Sequence, residues 1–383
     1  MRALISAHGS LAWAVVSSLS AACSAPDDDV IAETSEGAST THATTPASSV
    51  SDAESTAAET TVAETTSTET TAATTGDAPL ATDENLRVAF FGDHGLSLWS
   101  LANLQLIRAE QADFLVVLGD FDYDDAPPVW NNLLEMGLGA DFPVFAAVGN
   151  HDVEAWDGYQ QILRDRVNAI PGADCQGELG VQASCYYRGL FFLLSGVGTL
   201  GDGHEAFLES ELAETDAIWK ICAWHKNQND MQLGEKGDEV GWGAYQACMN
   251  GGAIIATGHE HSYGRTMTLT ELGDAAADHG AVGDPTLMEV GPGKTFVFVS
   301  GLGGASIRAY IPELHDDDTW WAAYYTDDRW LKTDGLVTDK YQAEGGVLFI
   351  DFHVDGDPYK ARGYFKNVNG ELIDEFEIHA AQP

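Results

Sequence analysis

Five short blocks along the chain combine glycine or tryptophan with residues that bind metal ions. They are Gly92-Asp93-His94-Gly95, Gly119-Asp120-Phe121-Asp122-Tyr123, Gly149-Asn150-His151-Asp152, Trp224-His225 and Gly258-His259-Glu260-His261. Their carboxylate, phenolate, amide and imidazole groups suit two hard or borderline metal ions, whereas a structural zinc would more often use closely spaced cysteines. Two neighbouring metals promote phosphoester hydrolysis by neutralising the phosphate, generating hydroxide and clamping the attacking and leaving oxygens. The blocks therefore predict a two-metal phosphoester hydrolase.

Apolar runs stand just before the first three blocks and indicate how the ligands are positioned. The runs at 86–91, 114–118 and 143–148 are typical of buried strands. More helical stretches at 99–111 and 156–168 lie between or after them. This alternation predicts an α/β fold in which ligands at strand ends converge at one edge of a sheet.

A second set of strand-like segments follows in the later half of the chain. The segments are 189–195, 219–224, 253–257, 295–300 and 346–354. The pair Asn369-Gly370 is a strong hairpin signal and predicts a closing turn between two further strands.

The order and spacing of the blocks resemble the calcineurin-like metallophosphoesterase superfamily, and most of all its purple acid phosphatase branch. That branch carries Gly-Asp-x-Gly and Gly-Asp-x-x-Tyr, which Asp93, Gly95, Asp120 and Tyr123 match. Its last block, Gly-His-x-His-x-Tyr-x-Arg, is matched over 258–265. The resemblance covers residues 88–265 closely and implies a layered αββα sandwich of two mixed β-sheets flanked by helices.

The resemblance also implies two sets of metal ligands. One set is Asp93, Asp120, Tyr123 and His261; the other is Asp120, Asn150, His225 and His259. Asp120 follows an apolar run and a glycine that permits a tight turn, and is our candidate for the carboxylate shared by both ions. A phenolate from Tyr123 suits Fe(III), and the second ion would be Fe, Zn or Mn. The adjacent Asp122 offers a carboxylate as the alternative to Tyr123.

Catalytic and substrate-binding roles follow from the same resemblance. His151 would contact the phosphoryl group, together with Asn150, and protonate the leaving group, while Asp152 would orient the His151 imidazole. The nucleophile would be a metal-bound hydroxide. Relatives often carry further histidines soon after the fourth block, whereas Lys226 stands here and could bind substrate oxygens.

The N-terminus predicts export. Residues 1–23 carry a short apolar stretch ending in small residues and Cys23, which predicts a signal peptide whose end resembles the lipobox of bacterial lipoproteins. Lipidation of Cys23 would make a cell-envelope lipoprotein tethered to the membrane; ordinary cleavage nearby would release a secreted protein. Residues 24–85 are rich in Thr, Ala and Glu and predict a disordered linker, which leaves 86–383 as the catalytic domain.

Cysteine spacing predicts one disulfide and leaves another open. Cys175 and Cys185 flank a short segment and are the expected pair in an exported chain. Cys222 lies in an apolar run before His225, where it is either a buried small hydrophobe or the partner of Cys248.

The net negative charge of the chain limits the kinds of molecule that it is expected to bind. The formal net charge is -42, and 47 acidic residues face 17 basic ones within 86–383. Such a field repels polyanions, so nucleic-acid binding is not expected. The predicted substrate is a small phosphorylated molecule, and no protein partner can be inferred.

We interpret the sequence as an acid-phosphatase-like phosphomonoesterase. The alternative within enzymes is a phosphodiesterase or nucleotide hydrolase that uses the same two-metal centre. The alternative of another class is an inactive, surface-displayed interaction protein, against which the intact ligand set argues.

Overall fold

A computed structural model describes residues 83–339 and 343–382. Within these residues the chain forms seventeen strands and six α-helices. The strands are β1 (Leu86–Phe91), β2 (Phe114–Leu118), β3 (Val144–Ala147), β4 (Asp174–Glu178), β5 (Gln182–Tyr187), β6 (Leu190–Ser195), β7 (Trp219–Ala223), β8 (Ile254–Thr257), β9 (Tyr263–Thr266), β10 (Leu287–Val290), β11 (Val297–Ser300), β12 (Trp321–Tyr325), β13 (Arg329–Leu331), β14 (Val337–Asp339), β15 (Gly346–Phe352), β16 (Lys360–Asn367) and β17 (Leu372–Ala380). The helices are α1 (Leu98–Ala109), α2 (Pro127–Leu138), α3 (Trp156–Ala169), α4 (His204–Glu214), α5 (Gly243–Gly251) and α6 (Pro312–His315).

The strands form two mixed sheets. One has the order β10-β17-β16-β15-β1-β2-β3, with β1, β2 and β3 parallel. The other has the order β14-β13-β12-β9-β11-β8-β7-β6-β5-β4, with β6, β7, β8 and β11 parallel. In each sheet, therefore, several consecutive strands end at the same edge.

Aromatic side chains join the inner faces of the two sheets. The ring centroids of Phe90 on β1 and Phe298 on β11 lie 5.4 Å apart, and those of Tyr263 on β9 and Phe365 on β16 lie 4.1 Å apart. All four of these side chains are buried, so the main core lies between the two sheets.

Helices cover the outer faces. Leu104, Leu134 and Leu163, from α1, α2 and α3, belong to the main core with the first sheet. On the other side, Leu208 of α4 and Tyr245 of α5 pack in a second cluster with residues of β6 and β8. The predicted αββα sandwich is confirmed.

Most predicted elements are present. The runs at 86–91, 114–118 and 143–148 are β1, β2 and β3, and the helical stretches are α1 and α3. Asn369 and Gly370 form the turn between β16 and β17, where Gly370 has a φ of 81°. The predicted signal peptide 1–23 with Cys23, and the predicted linker up to residue 82, lie outside the described residues.

Two disulfides are present among the described cysteines. Cys175 and Cys185 join the paired strands β4 and β5, as predicted. Cys222 on β7 is bonded to Cys248 on α5, which settles the pair that the sequence left open. Within the described ranges, no helix combines the length and apolarity needed to cross a membrane.

Candidate metal centre

The blocks meet where parallel strands of both sheets end. Asp93, Asp120 and Asn150 follow β1, β2 and β3, whereas His225 and His259 follow β7 and β8. Apolar strands fix the backbone up to these points, and the polar residue that comes next turns into the space beyond the sheet edge. The topology thus brings together ligands that are far apart in sequence.

Glycines allow the turns to pack tightly. A Cβ atom at Gly119, which has a φ of 85°, would lie 2.6 Å from Nδ1 of His225. A Cβ atom at Gly149 would lie 2.1 Å from the backbone nitrogen of Asp120. Several of the predicted ligands themselves adopt left-handed backbone angles, a conformation that concentrates at functional sites. They are Asp93 (φ 59°), Asp120 (φ 55°), Tyr123 (φ 62°) and His259 (φ 67°).

Three donor atoms form the first cluster. Oη of Tyr123 lies 3.2 Å from Oδ1 of Asp93 and 3.2 Å from Nε2 of His261. The Asp93 and His261 atoms are also 3.2 Å apart. Ligand atoms that each lie about 2 Å from one metal ion are separated from one another by roughly this distance. The triangle therefore fits one ion.

Four donor atoms form the second cluster. Nε2 of His225 lies 3.1 Å from Oδ1 of Asn150, 3.1 Å from Nδ1 of His259 and 3.2 Å from Oδ1 of Asp120. The donor atoms of Asp120, His225 and His259 all lie within 4.8 Å of one another, and these side chains are buried. The close carboxylate contact of Asp120 is thus with the second cluster, and its role as a bridge stays a prediction.

Hydrogen bonds outside the clusters select the ring nitrogens that face the ions. Nδ1 of His225 lies 2.7 Å from the carbonyl oxygen of Leu118, and Nε2 of His259 lies 2.6 Å from Oε2 of Glu239. Because a carbonyl or carboxylate oxygen only accepts, each of these nitrogens must donate a proton. The other nitrogen of each ring is therefore free to bind a metal.

The clustered charges shift several pKa values. Burial lowers the pKa of His225, but the Asp120 carboxylate overrides it and raises the pKa to about 9. Burial together with Asp93 and Asp120 raises the pKa of Tyr123 well above its ordinary value. In the absence of a cation, both side chains hold their protons at neutral pH. A metal ion must displace those protons, so binding is linked to pH.

Asp152 does not have its predicted role. Its Oδ2 accepts hydrogen bonds from the backbone nitrogens of Gly149 (2.7 Å) and Asp120 (2.9 Å), and its Oδ1 accepts one from that of Phe121 (2.7 Å). Both oxygens thus bind backbone amides rather than the imidazole of His151. The buried carboxylate instead connects the turns that carry Asp120 and Asn150.

His151 lies at the rim of the site. Its side chain is exposed, and its ring centroid is 4.7 Å from that of Tyr123. Its backbone nitrogen donates to Oδ1 of Asp120 at 3.0 Å. The imidazole is therefore held next to both clusters without being part of either.

Lys226, whose role in substrate binding stays a prediction, is paired with a carboxylate in this structure. Its ammonium lies 2.5 Å from Oε1 of Glu239, the carboxylate that also binds His259. The charge of Lys226 is thus compensated by Glu239, a residue that the sequence did not single out because no local pattern marks it.

The hydrogen bonds of Asp122 argue against it as a metal ligand in place of Tyr123. Oδ1 of Asp122 accepts hydrogen bonds from the hydroxyl of Tyr159 at 2.6 Å and from the backbone nitrogen of Asp124 at 2.9 Å. Asp122 therefore shapes the turn, and the side chain next to it, Tyr123, faces the first cluster.

A loop at 301–308 borders the site and was not predicted to take part in it. The backbone nitrogen of Ala305 donates to the carbonyl oxygen of Asp93 at 3.0 Å, and Oγ of Ser306 lies 3.2 Å from Nδ1 of His261. Ser306 also lines a groove of about 350 Å³. The groove is further lined by Trp99, Gly304, Ala305, Ile307, Asp327, Ala343, Glu344 and Gly345.

Comparison with known proteins identifies the class. Residues 86–263 match the sequence model of the calcineurin-like phosphoesterase family. Together with the metal-type clusters at the strand ends, this match identifies residues 86–263 as a calcineurin-like phosphoesterase domain.

Within that family the similarity is to the purple acid phosphatase branch. Purple acid phosphatase 21 of Arabidopsis thaliana is 25% identical over 200 residues, which are 47% of this chain and 45% of that protein. Purple acid phosphatase PPD1 from yellow lupin (Lupinus luteus) shares the fold, with a TM-score of 0.53 and 15% identity over 76% of this chain and 53% of that chain. The chain thus spans about half the length of these two relatives.

Proposed function

We propose that this protein hydrolyses small phosphomonoesters with a centre of two metal ions. The observation that carries the proposal is the pair of donor clusters, in which neighbouring ligand atoms lie 3.1–3.2 Å apart. When bound, two metals would neutralise the phosphate charge and lower the pKa of a bound water to supply hydroxide as the nucleophile. The name of the Arabidopsis relative, a purple acid phosphatase, favours monoesters.

The donor chemistry supports an assignment of the metals. The first cluster contains a carboxylate, a phenol and an imidazole, and a phenolate favours a hard, highly charged ion such as Fe(III). The second cluster has imidazole, amide and carboxylate donors, which suit Fe, Zn or Mn.

The residues around the clusters supply the remaining roles. His151, exposed at the rim, would donate the proton that the leaving alcohol needs. The groove beside Ser306 has room for a small leaving group. The acidic chain, with a formal net charge of -42, disfavours polyanionic substrates such as nucleic acid.

The proposed location is outside the cytoplasm, either tethered through Cys23 or secreted. The two disulfides support an oxidising compartment.

The test is metal analysis, a visible absorption spectrum and hydrolysis assays on the purified protein and on Tyr123→Phe, with Tyr245→Phe as the control. Tyr245 is a buried phenol whose oxygen accepts from the backbone nitrogen of Gln228. We expect iron, a tyrosinate absorption lost only in Tyr123→Phe, and faster hydrolysis of an aryl phosphate than of a bis-aryl phosphate.

Other results would revise the proposal in stated ways. Hydrolysis with two metals but no colour would keep the phosphoesterase and reject Tyr123 as an iron ligand. Faster hydrolysis of the diester would favour a phosphodiesterase. A protein that binds no metal and hydrolyses neither ester would favour the interaction protein.

A further inference from the structure

A residue that binds phosphate in this protein must offset the repulsion between the phosphate and the many acidic side chains. Residues 86–383 contain 47 acidic and 17 basic residues, and a phosphomonoester is itself an anion. The predicted cation, Lys226, is already paired with Glu239. A second cation, Arg308, lies in the loop 301–308 and contacts residues of the Gly-His-x-His block.

Backbone and side chain both tie Arg308 to the block that carries the metal-binding imidazoles. Its backbone nitrogen donates to the carbonyl oxygen of His261 at 2.9 Å. Its Nη1 donates to Oε2 of Glu260 at 3.1 Å and lies 3.4 Å from the carbonyl oxygen of His259. Arg308 is therefore held next to residues of both clusters, through its backbone to His261 and through its guanidinium to His259.

Part of the guanidinium is available to a ligand. The contacts that Arg308 makes through its side chain with residues of the described ranges use Nη1, and 29% of the side chain is exposed. Nη2 and Nε thus carry three further N–H donors. A guanidinium presents its donors as a planar fork that matches two oxygens of a phosphate.

Glu260 is buried and lies where it can hold the Arg308 guanidinium in one orientation. It occupies the variable position of the Gly-His-x-His block and is 1% exposed. Gly234 makes room for it, because a Cβ atom there would lie 2.4 Å from Oε1 of Glu260. A buried carboxylate needs a compensating charge, and the Arg308 guanidinium supplies it.

We propose that Arg308, positioned by Glu260, binds the non-bridging oxygens of the phosphoryl group at the metal centre. This inference rests on the proposed function, since it assigns the substrate contact of the same site. It assigns the phosphate contact to Arg308 rather than to Lys226, whose ammonium is paired with Glu239. The purely structural reading is that the Arg308–Glu260 pair only anchors the loop 301–308.

The test compares Arg308→Gln, Arg308→Lys and Glu260→Gln in the metal-loaded full-length protein. The matched control is Arg362→Gln, which breaks an exposed pair with Glu375 on the paired strands β16 and β17. The readouts are the KM for an aryl phosphate, the Kd of inorganic phosphate by titration calorimetry, the metal content and the Tm.

We expect Arg308→Gln to raise both KM and the phosphate Kd about tenfold or more, because charge-assisted hydrogen bonds are lost while the metals stay bound. Arg308→Lys should recover part of the loss, since it keeps the charge without the fork. Glu260→Gln should raise both constants by a smaller factor, and the control should leave them unchanged.

Unchanged KM and phosphate Kd in Arg308→Gln would overturn the proposal. Loss of metal or a lower Tm in Arg308→Gln, with phosphate affinity fully restored by reloading the metals, would establish the structural reading instead. If the wild type binds phosphate through Arg308 but hydrolyses no ester, the proposed function fails while the assignment of Arg308 stands.

Discussion

At the scale of single residues, the candidate metal centre depends on which nitrogen of each imidazole keeps a proton. Leu118 and Glu239 accept from one nitrogen of His225 and His259, so the opposite nitrogens face the cluster. Such partners orient a ligand and raise its basicity, and their loss commonly weakens metal binding about 10- to 100-fold. The metal affinity of the site thus depends partly on atoms that do not touch a metal.

Metal binding should release a proton from His225. The folded-state pKa of this residue is raised to about 9 by Asp120, so below that pH the metal-free imidazole is protonated. A metal ion at the second cluster needs the neutral ring, so His225 should release about one proton for each Zn²⁺ bound at that cluster at pH 7.5. Titration calorimetry in two buffers of different ionisation enthalpy measures this number.

A histidine outside the site provides the control for that measurement. His315 is buried and lies 2.8 Å from Oδ2 of Asp318, and His315→Gln should release the same number of protons as the wild type. A binding enthalpy that is independent of the buffer would contradict the predicted release.

The ligands themselves were predictable from sequence, whereas the residues that support them were not. Asp93, Asp120 and Asn150 each stand one or more residues past an apolar run, a local pattern that places them at a sheet edge. Glu239 and Arg308 reach the site only through tertiary contacts and have no such pattern. Residue spacing also does not show whether a carboxylate such as Asp152 accepts hydrogen bonds from backbone amides or from a neighbouring imidazole.

At the scale of elements, the turns after β2 and β3 form one packed unit. Asp152 accepts backbone hydrogen bonds from both turns, and Gly149 lies directly against Asp120. A change in the backbone of one turn should therefore displace the predicted metal ligand that the other turn carries.

Gly149→Ala should disrupt this unit. The added methyl group would lie 2.1 Å from the backbone nitrogen of Asp120, a distance that forces the backbone to shift. We expect a loss of at least about 1–3 kcal/mol in the free energy of unfolding, the usual cost of overpacking, together with reduced metal content. Denaturant unfolding and metal analysis measure the two effects.

The control for this substitution is Gly237→Ala, where an added Cβ would meet no atom within 4 Å. It should change the free energy of unfolding by less than about 0.5 kcal/mol. Equal stability and metal content in the two variants would show that the packing at Gly149 does not constrain the site.

The elements that sequence predicted are those with strong patterns. The strands β1, β2 and β3 are continuous apolar runs because helices and a second sheet bury both faces. By contrast, β4 is mostly exposed and contains Gly177, and β14 is three exposed residues long, so neither has apolar alternation. Helix α2 begins with two prolines, a pattern compatible with a turn as well as with a helix start.

At the scale of the whole molecule, the acidic charge and the N-terminus bear on location. The formal net charge is -42. We expect export, with Cys23 either acylated after cleavage or, in a released protein, lost or left as a free thiol. Mass spectrometry of the mature N-terminus distinguishes these outcomes: a diacylated Cys23 supports the lipoprotein, and a free N-terminus at Ala22 or beyond rejects lipidation.

Both clusters draw ligands from both sheets. Asp93 and Tyr123 follow strands of the first sheet and His261 precedes β9 of the second; Asp120 and Asn150 likewise meet His225 and His259. Each bound ion would therefore cross-link ligands from residues 93–150 to ligands from residues 225–261, which are far apart in sequence. Bound ions would thus stabilise the folded sandwich by mass action, as any ligand of the native state does.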